Sequence, residues 1–321
     1  NYRYLNMEVA QIGFGRWGQN IYKNLKSIDS ITKIYIVDPA IKTFPNLKKL
    51  ENIIENNEIE AVFISTPAIT HFDLTKTMIE NDKHVFCEKP LAFSEKEALE
   101  IKELIESKKK TFISGHTFLF NDAIDYLKDY INENKLVFST IFGKYSSFGT
   151  NISDTDVLWD FGPHVISIMN YILGTTPKDF SIHPMSFNKL GKLETCIINL
   201  QYEATEVSFE LNWLSIKKKR EIEFNNLEKL IRWCDVDVDR PIEIYDKIWE
   251  ENIEPGVYSH FHNISHNILT PALNLKEPLL NELMYFINSI EEGKYKNLKS
   301  GIEFTTDVIL TLEKISDGFT N

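Results

Sequence analysis

The sequence predicts an α/β protein in two parts. Residues 1–120 form a doubly wound parallel sheet, and residues 121–321 form an α+β domain with a large, mostly antiparallel sheet. Three observations carry this. Up to about residue 120, β-branched apolar runs alternate with amphipathic helical stretches, the pattern of strands joined by crossover helices. The first such run, Val9 to Ile12, passes straight into a Gly-rich turn at Gly13, Gly15 and Gly18 and then into a helical stretch. From Asp179 to Tyr245 strand signals follow one another with few helix signals between them. A length of 321 residues fits two domains.

Composition narrows the function classes. A net charge of −12 argues against a nucleic-acid or anionic-membrane partner, while leaving room for a basic pocket that takes a small anion. Cys87, Cys196 and Cys234 are odd in number and far apart, which suggests neither a disulfide framework nor a zinc site. No apolar run approaches the ~20 residues of a spanning helix. The opening residues carry no signal-peptide core, so a cytoplasmic protein is expected.

The Gly-rich turn has the spacing G-x-G-x-x-G. The first glycine allows the tight turn, the second lets backbone approach a pyrophosphate, and the third lets helix pack on strand. The helix that follows, with Ile21, Leu25 and Ile28 on one face, offers unpaired N–H groups to phosphate. Gly13, Phe14, Gly15, Arg16, Trp17 and Gly18 are therefore candidate cofactor residues. The run Lys33 to Val37 ends at Asp38, placed to accept hydrogen bonds from a ribose diol and to repel a 2′-phosphate, which favours NAD over NADP. Lys42 is the nearby cation that would favour NADP. A short helix over Leu47–Asn56, a strand Ala61–Ser65 and a helix over Ile69–Asn81 continue the series. Ser65, Thr66 and Pro67, at a strand end, line the cofactor; His71, a turn later, either touches it or caps the helix. The strand Lys83–Cys87 ends in Glu88-Lys89-Pro90, which holds Lys89 where a nicotinamide ring would lie. A helix Ser94–Ser107 and a strand Thr111–Gly115 complete the domain.

Together Gly13–Gly18, Asp38, Ser65-Thr66-Pro67 with His71, and Glu88-Lys89-Pro90 resemble the Gfo/Idh/MocA oxidoreductases, the relatives of glucose–fructose oxidoreductase and inositol dehydrogenase. The resemblance runs on through Gly115-His116-Thr117-Phe118-Leu119-Phe120-Asn121 and Leu158-Trp159-Asp160-Phe161-Gly162-Pro163-His164. Those segments, with Gly15-Arg16-Trp17-Gly18-Gln19-Asn20, are similar to a branch that oxidises nucleotide-linked sugars such as UDP-N-acetylglucosamine at C3 in surface-polysaccharide pathways. Two departures fall in the expected sugar pocket. Ser146-Ser147-Phe148-Gly149 stands where that branch carries an Arg and an Asn-Leu-Gly segment, and Asp160 stands where it often has Asn.

In the second half, Asn121–Asn134 reads as the connecting helix and Leu136–Phe148 as a strand. Asn151–Val157 reads as a loop crossing the site, with Asn151 a candidate substrate contact. A helix starting at Asp160 places Asp160 and His164 one turn apart, so the carboxylate can orient the imidazole. An Asp at the helix start and a His satisfied inside the domain is the alternative on the residues alone. The resemblance implies His164 as the catalytic acid/base, Asp160 beside it and Lys89 as its partner. It also implies His116 and Phe118 at the substrate, and a homodimer or homotetramer built on the C-terminal sheet. Lys217 to Arg220 is a basic cluster in an acidic chain. Lys218 and Arg220 either contact a substrate phosphate or carboxylate or form a solvated strand end. Ser259–His266 holds three His without acidic or Cys company, and reads as a mobile loop near the substrate rather than a metal site. Helices over Pro278–Gly293 and Ser300–Asp317 close the chain. The expected function is an NAD-dependent dehydrogenase of a sugar's secondary hydroxyl, without metal. The alternatives are a free-sugar or inositol dehydrogenase, an oxidoreductase that retains NADP, and a non-catalytic dinucleotide sensor.

Overall fold

A computed structural model describes residues 6–148, 155–254 and 257–320; of 249–254, 257–267 and Thr320 it describes the backbone alone. The chain opens with β1 (Met7–Ile12), α1 (Arg16–Leu25), β2 (Ile31–Val37), α2 (Leu50–Glu55), β3 (Ile59–Ile64), α3 (His71–Glu80), β4 (His84–Cys87), α4 (Glu95–Lys108) and β5 (Phe112–Ser114). The five strands form one parallel sheet in the order β2-β1-β3-β4-β5. Strand runs without polar alternation suit this sheet, because helices bury both of its faces. The series matches the sequence expectation with two local changes. Leu47 bridges to Ile36 of β2 instead of starting a helix. The stretch after Pro67 first makes a tight 3-10 turn, Ala68–Thr70, before α3 begins.

The chain continues with α5 (Asp122–Glu133), β6 (Thr140–Ser146) and α6 (Val157–Leu173). It then runs through β7 (Asp179–Phe187), β8 (Leu193–Tyr202), β9 (Thr205–Asn212), β10 (Lys219–Asn225), β11 (Lys229–Cys234), β12 (Ile242–Glu254) and β13 (Val257–Leu269), and ends with α7 (Pro278–Glu291) and α8 (Ile302–Thr320). Strands β6 to β13 form an eight-stranded sheet in the order β13-β12-β11-β10-β6-β9-β8-β7. It is antiparallel throughout except for the parallel pair β6–β9. The sequence signals stopped at Tyr245, so β13 and most of β12 are additions to the expected sheet. The histidine tract Ser259–His266 lies within β13 and not in a loop: Ser259 to Ile264 pair residue by residue with β12, and a register shift follows. A long antiparallel ladder satisfies every second backbone group and outweighs the tract's polar composition.

Two compact units result: Asn1–Asn121 with Lys276–Lys314, and Asp122–Leu275 with Ile315–Asn321. This division meets the expected cut at residue 120 to within one residue, and it places 276–314, expected in the second part, with the first unit. The reason is burial. Leu279, Leu283 and Phe286 of α7 join Phe63 and Phe86 in the core on one face of the parallel sheet. The Phe286 ring stands edge-on to Phe63 at 5.4 Å. Ile302 and Ile309 of α8 join Val62, Val85 and Ile101 on the other face. A five-stranded parallel sheet with a bare face would expose a row of large apolar side chains, and these two helices cover it.

Candidate active site

In the first unit a groove of about 1370 Å³ opens along the carboxyl ends of the strands. It is lined by Gly13, Gly15, Arg16, Trp17, Asp38, Ser65, Thr66 and Pro67 among others. The three glycines act differently, as their spacing predicts. Gly13 has φ +93°, and a Cβ there would meet the Ser65 carbonyl oxygen at 2.6 Å. A Cβ on Gly18 would meet the Gly13 carbonyl oxygen at 2.5 Å. A Cβ on Gly15 would meet nothing within 4 Å, so this backbone is bare toward the groove. Gly15 is also the N-cap of α1 and supplies no side-chain cap, which leaves the first N–H groups of the helix for an anion. The residues present therefore fit a dinucleotide: a bare helix N-terminus for pyrophosphate and an acid at the end of β2 for ribose.

That acid is well placed. Asp38 accepts from the Phe14 N–H at 2.7 Å and from the Ala40 N–H at 2.8 Å, which fixes its carboxylate beside the turn. Ser65 donates to the Gly13 carbonyl at 3.0 Å, tying β3 to the same turn. His71 is buried at 2% exposure, its ring nitrogens against the carbonyls of Pro90 at 2.8 Å and Thr66 at 2.9 Å. It thus braces the two loops that edge the site. Two further groove features escaped the sequence reading. Gln11 donates from its amide to the carbonyls of Gly13 at 2.9 Å and Gly18 at 2.6 Å, holding the turn from beneath. Lys48 and Lys49 line the groove near Asp38, where Lys42 had been the cation considered.

Lys89 is half-buried, one residue past Glu88 at the end of β4. Glu88 is buried, and its carboxyl is pushed up to about 7, by burial first, against the opposing pull of the Trp17 indole and Lys89. The Trp17 indole N–H donates to Glu88 Oε1, a link across the site that sequence spacing could not show. His116 is buried with its ring edge-on to Phe304 at 5.9 Å, and burial together with Lys89 lowers it to about 3, so it stays neutral. Phe118 is buried as well. On α7, buried Glu282 accepts from Thr117 Oγ1 at 2.9 Å, and burial with Glu88 nearby raises its carboxyl well above the usual range.

The second unit holds the other candidates. Helix α6 begins at Val157, a turn before the expected start, because Asp156 caps it by accepting from the Trp159 N–H at 3.0 Å. Asp160 and His164 still lie one turn apart. Asp160 is buried and accepts from the Trp213 indole N–H at 3.0 Å. The His164 ring, half-buried, stacks on Tyr145 at 5.4 Å and 15°. Tyr145 also packs on Phe161 at 4.7 Å and lies 5.1 Å from the Arg220 guanidinium, which pairs with Asp235 at 2.9 Å. Burial raises the Tyr145 hydroxyl, so it stays protonated. Tyr145, Trp213 and Asp235 thus draw His164, Asp160 and Arg220 into one constellation, and none of the three was singled out in the sequence. Lys218 lies exposed in the segment leading to β10, and Asn151 lies outside the described residues. Among the described residues no group of three or more His, Cys, Asp or Glu is arranged to hold a metal ion. No described helix is long and apolar enough to cross a membrane.

Comparison with known proteins agrees with this geometry. Residues 7–116 match the family model of the Gfo/Idh/MocA oxidoreductases, described as an oxidoreductase family with an NAD-binding Rossmann fold. The chain is 25% identical over 214 residues to an uncharacterised oxidoreductase, YrbE, of Bacillus subtilis, covering 60% of this chain. It spans less than two thirds of the first curated relatives that it matches, 36% and 62% of their lengths. The UDP-N-acetylglucosamine 3-dehydrogenase of Acidithiobacillus ferrooxidans shares the fold with a TM-score of 0.78 at 16% identity, with 97% of each chain covered. The myo-inositol 2-dehydrogenase of Lactobacillus plantarum does so with a TM-score of 0.76 at 16% identity, over 98% of this chain and 97% of that one. Residues 7–116 are thus similar to the NAD-binding Rossmann domain of the Gfo/Idh/MocA oxidoreductases.

Proposed function

We propose that this protein is an NAD-dependent dehydrogenase acting on a secondary hydroxyl of a sugar, with C3 of a nucleotide-linked sugar as the leading substrate. The observation that carries the reading is the carboxyl edge of the parallel sheet. There the bare Gly15 turn and Asp38 line one groove, and Lys89 stands on the same edge just past the end of β4, two strands from β1. Asp38 beside the Phe14 N–H favours NAD, since a second negative group would meet the carboxylate. The bound dinucleotide supplies the hydride acceptor. Lys89 donates to the substrate oxygen and stabilises the negative charge that develops on it. His164 takes the hydroxyl proton, its ring held flat by Tyr145. Asp160, tied to Trp213, fixes the turn of α6 that carries His164.

One observation favours a free sugar or cyclitol as the substrate. Arg220 is already neutralised by Asp235 at 2.9 Å, which weakens the case for a diphosphate partner in this unit. A thermal-shift panel of NAD, NADP, UDP-sugars and free sugars separates the readings. Stabilisation by NAD, increased further by a UDP-sugar, supports the leading one. Stabilisation by NAD with a response only to free sugars moves the substrate to that class, and no response to either dinucleotide removes the dehydrogenase reading. Self-association through the eight-stranded sheet belongs to the same proposal. Phe142, Met185 and Phe187 lie exposed on its strands, and light scattering on the panel samples would read a monomer if it is wrong.

A further inference from the structure

Trp17 combines two features that conflict in an ordinary surface residue. It is 43% exposed, on the first turn of α1 at the groove, yet its only polar atom points inward to a buried carboxyl. That carboxyl, on Glu88, sits immediately before Lys89, and its Oε2 faces the Lys89 backbone N–H at 3.4 Å. Space for it is made on the far side by Gly115, where a Cβ would lie 2.8 Å from Glu88 Oε2. A surface tryptophan needs no such partner, and burying a carboxyl is costly unless its hydrogen bonds are met. The groups facing this carboxyl are the Trp17 indole, Lys89 on its own turn and Glu282 on α7, while His116 after β5 feels the Lys89 charge.

We propose that Glu88 is a positioning residue: gripped by the Trp17 indole, it couples occupation of the Gly15–Trp17 phosphate turn to the placement of Lys89. The chain of contacts is short. An anion held by the first N–H groups of α1 fixes the turn on which Trp17 sits. The Trp17 ring carries that constraint to Glu88 Oε1, and Glu88 carries it to the next residue. Bound cofactor then orders the lysine before substrate arrives, so the lysine's ordering entropy is not charged against catalysis. This deepens the proposed function and rests on it for the role of Lys89.

The test uses ADP-ribose, which fills the pyrophosphate and adenosine positions but has no nicotinamide ring to shield Lys89 directly. The readout is the rate at which an amine-reactive ester labels Lys89, measured by mass spectrometry with and without ADP-ribose. In the wild type ADP-ribose is expected to change that rate at least about fivefold. Trp17→Phe and Glu88→Leu, each compared at an ADP-ribose concentration that saturates that variant, should lose the effect. Glu88→Gln keeps an acceptor for the indole and should restore it. A full effect in Trp17→Phe, or no effect in a wild type that binds ADP-ribose, would overturn the coupling. A wild type that does not bind ADP-ribose at all would remove the dinucleotide reading and the coupling together. Loss of dehydrogenase activity alone would bear on the proposed function and leave the labelling result standing.

Discussion

At the scale of single residues, the buried titratable groups around the parallel sheet pull against one another. His84 accepts the Thr111 N–H on Nδ1 at 3.0 Å, and burial lowers it to about 4. Unfolding frees it to take up a proton below its usual 6.5, so its contribution to stability is lost as pH falls from about 6.5 to 4. His116 acts in the same direction and over a wider range. Glu88 does the reverse: burial holds its folded pKa at about 7, against 4.5 for an ordinary Glu. Between those values the folded state binds the proton more tightly, so Glu88 adds stability as pH falls. Glu88→Gln removes that gain and leaves the histidine loss. Its thermal midpoint should therefore drop more steeply than the wild type's from pH 7 to pH 5, by on the order of 2 kcal/mol in stability. Parallel curves for the two proteins would contradict the assignment. None of this was legible beforehand. Gly13, Gly15, Gly18, Asp38 and Lys89 could be placed because their roles are set by neighbours in sequence. The contacts of Trp17 with Glu88, of His71 with Pro90 and of Asp160 with Trp213 join residues 71, 19 and 53 positions apart, and only the fold brings those together.

Single elements show which signals are strong. The five parallel strands were readable because their apolar runs are bounded by turns and followed by helices. Strands β12 and β13 were not, since charged and His-rich stretches pair through their backbones in a long hairpin. Strand β6 carries a constraint that its sequence hides. Gly143 pairs with Phe209 of β9, whose ring covers it, and a Cβ at Gly143 would lie 2.0 Å from that ring. Phe209 is buried at 1% exposure and has nowhere to turn. Gly143→Ala should cost about 3 kcal/mol in urea unfolding, well above the usual effect of a Gly-to-Ala change in a strand. A neutral or stabilising result would mean that the ring moves aside freely. Tyr145, two residues on and on the same face, carries the stacking with His164, so β6 links the packing of the sheet to the site.

For the whole molecule, the division into units follows from covering both faces of the parallel sheet. The chain must leave that sheet after β5 and return at α7 to finish it, because the first 121 residues hold too few helices to bury Phe63, Phe86 and Val85. A cut drawn along the sequence misses such a return. The amphipathic stripe of Leu279, Leu283, Phe286 and Ile290 was evident, but which sheet it covers was not. What the sequence could tell about function lay in the local motifs at the strand ends, and these fall within the residues 7–116 that match the family model. The proposed substrate depends on second-unit residues such as Tyr145, Trp213 and Asp235, which local pattern does not reveal. The most direct measurement is nicotinamide reduction, followed by absorbance, when wild-type protein and Lys89→Ala are each given NAD and the sugar that stabilises the wild type best. Turnover in the wild type and its loss in Lys89→Ala, with NAD affinity within about threefold, is the expected result. Equal turnover in the two proteins, or none in the wild type with any sugar of the panel, would contradict the account.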